Sequence, residues 1–461
     1  MPMINEQTRK WWILGAMAGV LGLVVLDETV VGVALATIRR DLAMSDLASH
    51  WVVNAYLLTF TCFVAIGGKL GDSLGHRGLF VLGATIFAVA SLAAGFATSG
   101  TWLIAARGLQ GLGAAITFPA SLAIMTSSFP AKQRGLAFGI QTTIAACFMS
   151  SGPLVGGFFT EVISWRWLFW INLPITAVIV LVALAALPTS RDGGKEAKAT
   201  TPALDYKGLI TLVAGLSALV IALMQGEDWG WGDPVIPALF ALSILLLAIF
   251  AIVELRTPHP LIALSLLANK TFTGGTLVFF MFQFEKIAVF VFIPLYLQEV
   301  MKETPIDAGF VVVIAVLPTL VTSYLAGKAA DRFGSRRPLA IGLLLNGAAL
   351  ILVGLATTMN NYGMIVAPLV VWGATLPFIA VCSRRALMGA VPKAQQGQAG
   401  GVNLTIQMLG GTFGMALCGT FLVVTGDYRS LFVMTGILVL AILLVAWMTI
   451  ERGTEAPGPV Q

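Results

Sequence analysis

Fourteen apolar runs, each of bilayer-spanning length, leave this chain few ways to fold. They lie near residues 11–36, 50–68, 79–97, 101–122, 136–159, 168–187, 208–224, 235–253, 273–297, 306–326, 338–357, 362–382, 398–424 and 430–450. About 20 apolar residues carry a helix across the hydrocarbon core, where only helices and closed barrels satisfy their own backbone groups. Charged residues make up 11% of the 461, and mean hydropathy is +0.91; a soluble domain carries about 25% charge. The chain is therefore expected to be an all-α integral membrane protein.

The net charge of +5 is a topology signal and not a nucleic-acid patch. With the N-terminus placed inside, inner segments hold twenty Lys and Arg residues and outer loops hold five, while Arg107 and Lys286 sit within spans. That asymmetry follows the positive-inside rule. It predicts that both termini are cytoplasmic, in a chain expected in the inner (plasma) membrane. Ten of the eleven tryptophans fall near span ends, as interfacial anchors do; Trp372 is the exception. The short N-terminal segment has no cleavage pattern of a signal peptide. Cys62, Cys147, Cys382 and Cys418 lie in apolar runs without metal-ligand spacing and read as small packing residues. No P-loop or metal set is readable, and no cofactor is expected.

An internal repeat organises the spans. GKLGDSLGHRGLF (Gly68 to Phe80) recurs 259 residues later as GKAADRFGSRRPL (Gly327 to Leu339), and Pro130, Gly135 and Ala137 recur 262 residues later as Pro392, Gly397 and Ala399. The two echoes imply homologous halves. The first repeat lies between spans two and three and its copy between spans ten and eleven, so two extra spans separate the halves. The expected organisation is an N-terminal six-helix bundle at 1–187, a cytoplasmic linker at 188–207, two inserted transmembrane helices at 208–253 and a C-terminal six-helix bundle at 254–461. The linker composition is that of a flexible, polar segment.

GKLGDSLGHRGLF resembles the signature loop of the major facilitator superfamily. LDETVVGVALATI, RGLQGLGAA, SGPLVGG and WRWLFWINLPI resemble further motifs of its fourteen-span drug:proton antiporter branch. The resemblance covers nearly the whole chain. It departs where the first-helix motif has Asn and Pro against Gly32 and Ala36 here, and where the fifth-helix motif has Gly against Phe148. It implies two pseudo-symmetric six-helix bundles that rock around a central cavity, with the inserted pair to one side.

Ionisable residues deep in spans are functional candidates, because burying them costs a few kcal/mol. Asp27 lies roughly 24 Å from the level of Trp11 at ~1.5 Å per residue, beyond easy reach of either interface. It matches the family's first-helix acid, which implies a proton-coupling role. Glu28 is a further proton-coupling candidate, although about 100° away around the helix it is not expected to face the same cavity squarely. Arg107 is at a similar depth in the fourth span, and an Asp27–Arg107 interaction is expected. Glu285 and Lys286 occupy the repeat position of Asp27, 259 residues on from position 27 for Lys286. Glu285 reads as a second proton site, a counter-charge for cations or half of an internal salt bridge.

The repeated loop reads as a latch. Gly68, Gly71 and Gly75 allow a tight turn, Asp72 precedes a helix, and Arg77 follows the positive-inside pattern; Asp331, Gly334 and Arg336 are the counterparts in the copy. The resemblance implies that Asp72 reaches the next inner loop, at Arg134. Gly152, Pro153, Gly156 and Gly157 combine a kink with a small-residue face, and in the family this motif goes with antiport. Phe279, Phe282 and Phe284 are candidate substrate-cavity residues, with lipid-facing or core packing as the alternative.

The expectation is a non-enzymatic exporter, active as a monomer, whose partners are the bilayer, protons and a small-molecule substrate. The substrates would be amphipathic or lipophilic compounds, cations included, moved by the proton gradient. A narrow-specificity metabolite transporter on the same fold, a membrane-embedded enzyme and a non-transporting sensor stand as alternatives.

Overall fold

The computed structural model describes residues 6–130, 133–187, 205–226, 229–257, 260–359, 361–392 and 395–450. Most of the expected linker, 188–204, lies outside the described residues. Those residues contain helices and no strand, with fourteen helices long and apolar enough to cross a membrane. We number them α1 (Glu6–Asp41), α2 (Asp46–Leu74), α3 (His76–Gly95), α4 (Gly100–Ser128), α5 (Arg134–Phe158), α6 (Trp167–Ala186) and α7 (Tyr206–Gln225). The remainder are α8 (Val235–Arg256), α9 (Lys270–Glu299), α10 (Pro305–Phe333), α11 (Arg336–Ala356), α12 (Tyr362–Gly389), α13 (Gln396–Thr425) and α14 (Tyr428–Thr449).

Several helices outrun the apolar windows that announce them. Hydrogen bonding continues past the hydrocarbon boundary, so α2 extends through the glycine-rich loop as far as Leu74. Their starts are set by local caps: the side chains of Ser45, Ser99, Asn269, Thr304, Asn361 and Asp427 accept hydrogen bonds from first-turn amides. Two irregularities escape hydropathy altogether. Pro318 breaks α10 into Pro305–Val316 and Thr319–Phe333, and α5 runs into a π-helical turn at Phe159–Ile163.

The packing repeats itself. Within the first half α1 lies beside α5 and α4 beside α2 and α3; within the second, α9 lies beside α13 and α12 beside α10 and α11. The halves meet along α2–α13, α5–α10 and α1–α9. The helices α7 and α8 pair with each other, and α7 caps the α2–α13 seam. There the Asn54 amide meets the Met224 sulfur at 2.8 Å and the Thr420 hydroxyl donates to the Leu223 carbonyl at 2.7 Å.

Polar contacts between the halves gather from mid-membrane to the end remote from the N-terminus. Arg39 on α1 pairs with Glu299 on α9 at 2.7 Å and also reaches Asp46. Gln298 donates to the Val33 carbonyl at 2.7 Å, and Glu161 accepts from the Ile306 amide at 3.1 Å. His50 packs against Phe292 and Gly419. Glycines bring the backbones together on this side: a Cβ on Gly157 would sit 2.6 Å from the Pro305 carbonyl oxygen, and one on Gly32 would collide with the carbonyl of Phe290.

Candidate functional site

Asp27 is the hub of a polar cluster built by five helices inside the first half. Its side chain is fully buried, so each oxygen must find a donor within the protein. Arg107 Nη1 on α4 lies 2.5 Å from Asp27 Oδ2. Asp27 Oδ1 accepts from Gln110 Nε2 at 2.7 Å and from Asn172 Nδ2 on α6 at 3.1 Å. Both amides also reach Ser91 Oγ on α3, at 2.8 and 3.1 Å. The guanidinium in turn donates to the Val52 carbonyl on α2 at 3.0 Å and to Gln110 Oε1 at 2.6 Å, and its carbon sits 4.4 Å from the Tyr56 ring centroid. On α5, Gly152 and Gly156 clear space for Thr29 and Val30 of α1 next to the site. The cation and the two amide donors leave both carboxylate oxygens of Asp27 satisfied here.

Asp27 and Arg107 come together as their matching depths lead one to expect. Gln110 and Asn172 were missed as site residues, although they are the polar interruptions of RGLQGLGAA and WRWLFWINLPI. A lone amide in an apolar run was the available signal.

Glu28 diverges from Asp27 and crosses to the other half. Its two oxygens accept from Gln283 Nε2 at 2.5 Å and Lys286 Nζ at 3.1 Å, both on α9. Gln407 on α13 adds a long contact to Gln283 at 3.5 Å. The charge of Lys286 therefore belongs to an ion pair between bundles and not to Glu285. Glu285 points away into its own half, toward Asn346 of α11 and Trp372 of α12.

The latch residues divide. The side chains of Asp72 and Arg134 lie outside the described residues. Gly75, at φ +90°, joins α2 to α3, and Gly334, at φ +73°, joins α10 to α11; L side chains rarely adopt either backbone. A Cβ on Gly71 would strike the His76 ring, whereas Gly68 has ordinary room. Arg77 donates to the Leu184 carbonyl at 3.0 Å, Asp331 pairs with Arg385 of α12, and Arg336 reaches the Trp447 carbonyl while covering its ring. These contacts tie helices within one half.

The SGPLVGG segment brings its small residues against neighbouring helices. Gly152 and Gly156 face α1, Gly157 faces α10, and the Pro153 carbonyl abuts Gly309. Of the three phenylalanines, Phe279 and Phe284 are buried, Phe279 against Phe282 and Phe284 against the backbone at Gly414. Only Phe282 keeps exposed surface in this conformation. Cys147, read from sequence as a packing residue, is exposed, because it occupies a face of α5 that its neighbours leave open.

Fourteen spans, repeated halves, a buried carboxylate hub and an ion pair across the boundary define a polytopic membrane carrier. The chain belongs to the major facilitator superfamily, whose family model matches residues 17–302 and 275–460; its members are transporters and not enzymes. The chain is 33% identical over 426 residues to the puromycin resistance protein of Streptomyces alboniger, covering 89% of this chain and 82% of that protein. It is 30% identical over 423 residues to the tetracenomycin C resistance and export protein of Streptomyces glaucescens, covering 91% and 77%. A crystal structure of a D-xylose–proton symporter superposes with TM-score 0.67 at 15% identity, over 96% of this chain and 98% of that one. That likeness concerns the fold.

Proposed function

We propose that this protein exports amphipathic or lipophilic small molecules, lipophilic cations among them, in exchange for protons. The observation that carries the reading is Asp27: a buried carboxylate whose ion pair and amide contacts join α1 to α4 and α6. A proton on Asp27 removes the charge that Arg107 neutralises and one oxygen's capacity to accept. The contacts of α1 with α4 and α6 weaken, while Arg107 keeps the Val52 carbonyl and Gln110. Proton arrival thereby biases the packing of one bundle, which is what coupling to a conformational change requires.

Alternating access follows the bundle boundary. With the termini cytoplasmic, as the distribution of Lys and Arg indicates, the Arg39–Glu299 end is the outer one, and this conformation is sealed there. The moving bodies are 1–187 and 254–461. At mid-membrane a cationic substrate competes with Lys286 for Glu28, and its lipophilic part lies beside Phe282. One chain contains both bundles and the whole boundary, so a monomer in the inner (plasma) membrane suffices. The energy source is the proton gradient, with no cofactor. The export direction is supported by the resistance and export proteins among the relatives.

The test is flux of a lipophilic fluorescent cation in proteoliposomes under an imposed pH gradient. Wild type should move the probe and Asp27→Asn should bind it without gradient-driven movement. Undiminished transport by the variant would remove Asp27 from the coupling step. Wild-type transport restricted to one metabolite would replace broad export by a narrow specificity.

A further inference from the structure

The second half contains a buried acid that the Asp27 mechanism does not use. Glu285 is 1% exposed, and neither of its oxygens has a hydrogen-bond partner within bonding distance. The Trp372 indole and the Asn346 amide face it, and no charged side chain among the described residues does so. Lys286, its chain neighbour, is committed to Glu28. Trp372 Nε1 and Asn346 Oδ1 are likewise buried and unpartnered. Trp372 follows Gln110 by 262 residues, the offset that relates Pro130 to Pro392. The cluster thus stands in the second half where Asp27 and Gln110 stand in the first.

The hydrogen-bond inventory sets the protonation state. The Thr375 hydroxyl donates to the Trp372 carbonyl at 2.7 Å, so toward Asn346 it can only accept, and Asn346 Nδ2 donates to it at 3.0 Å. Asn346 Oδ1 is left buried without a partner in the same cluster. An ionised carboxylate offers acceptors only; it would lie buried without a cation and without a hydrogen bond at either oxygen, a costly arrangement. The neutral acid avoids that cost, and it carries one donor and one acceptor for a cluster in which Trp372 Nε1–H and Asn346 Oδ1 are both unpartnered.

We infer that Glu285, Trp372 and Asn346 form a second proton-binding site, occupied in the conformation in which Asp27 pairs with Arg107, and that its proton is exchanged during transport. This rests on the antiport reading above and adds to it that more than one proton moves per substrate. Exchange of two protons for one monovalent cation carries net charge inward, whereas one for one is electroneutral.

Two measurements test this on the full chain in proteoliposomes. Infrared spectroscopy of wild type should show the carbonyl band of a protonated carboxylic acid at neutral pH. A component of it should vanish in Glu285→Gln and persist in Asp27→Asn; an unchanged band in Glu285→Gln overturns the site. Uptake of a monovalent lipophilic cation should respond to a potassium diffusion potential in wild type. Glu285→Gln, which preserves one donor and one acceptor, should lose that response and keep transport driven by the pH gradient. A potential response surviving in Glu285→Gln overturns the exchange of this proton. Failure of wild type to transport under any pH gradient would instead refute the antiport reading, and the infrared result would still decide whether Glu285 holds a proton.

Discussion

Replacing Gly32 by alanine should push the two bundles apart at the end remote from the N-terminus. The added methyl would be driven into the carbonyl group of Phe290 on α9. That neighbour is backbone and cannot rotate away, unlike a flexible side chain. Overpacking of this kind costs typically 1–3 kcal/mol, and the cost falls only on the state in which α1 and α9 touch. A differential of that size shifts a two-state equilibrium about 5- to 150-fold toward separated remote ends. Double electron–electron resonance between spin labels at the exposed residues Thr98 and Thr358, one in each half, would report it. Cys147 would be replaced by serine, since it is the exposed cysteine of the four. The label distance should lengthen in Gly32→Ala relative to Gly32. An unchanged distribution would refute the reasoning, because it would mean that α1 and α9 do not need this close approach to seal.

Two further outcomes follow from the charged pairs. Arg107→Ala strands a buried carboxylate, and breaking such a pair costs about 3–5 kcal/mol; thermal unfolding in detergent should show a clear loss, and adding Asp27→Asn should restore much of it. An Arg107→Ala protein as stable as wild type would deny the pair its structural weight. Lys286→Met should leave Glu28 without the cation that competes for it, raising the apparent affinity for cationic probes, while the exchanged pair Glu28→Lys with Lys286→Glu should recover folding and part of the flux. Equal transport by all three proteins would place the substrate elsewhere.

The fourteen spans, the halves and the depth of the charges were legible in the residues alone. Hydrophobic length and a 259-residue echo are local or repetitive signals, and a bilayer makes them decisive because it offers no other partner to the backbone. Depth also foretold that Arg107 could meet Asp27, since both counts run along rigid helices. Azimuth and neighbour identity were not available from such counts. Only tertiary packing decided that Asp27 takes Gln110 and Asn172 as well, that Lys286 turns to Glu28 across the boundary, and that Glu285 faces Trp372 and Asn346 within its own half. The oddities were visible all the same: Trp372 stands away from the interfaces where tryptophans gather, and Gly32 stands where a larger residue is usual. Their reason is steric and electrostatic complementarity between helices far apart in the chain, and this exists only once those helices are packed.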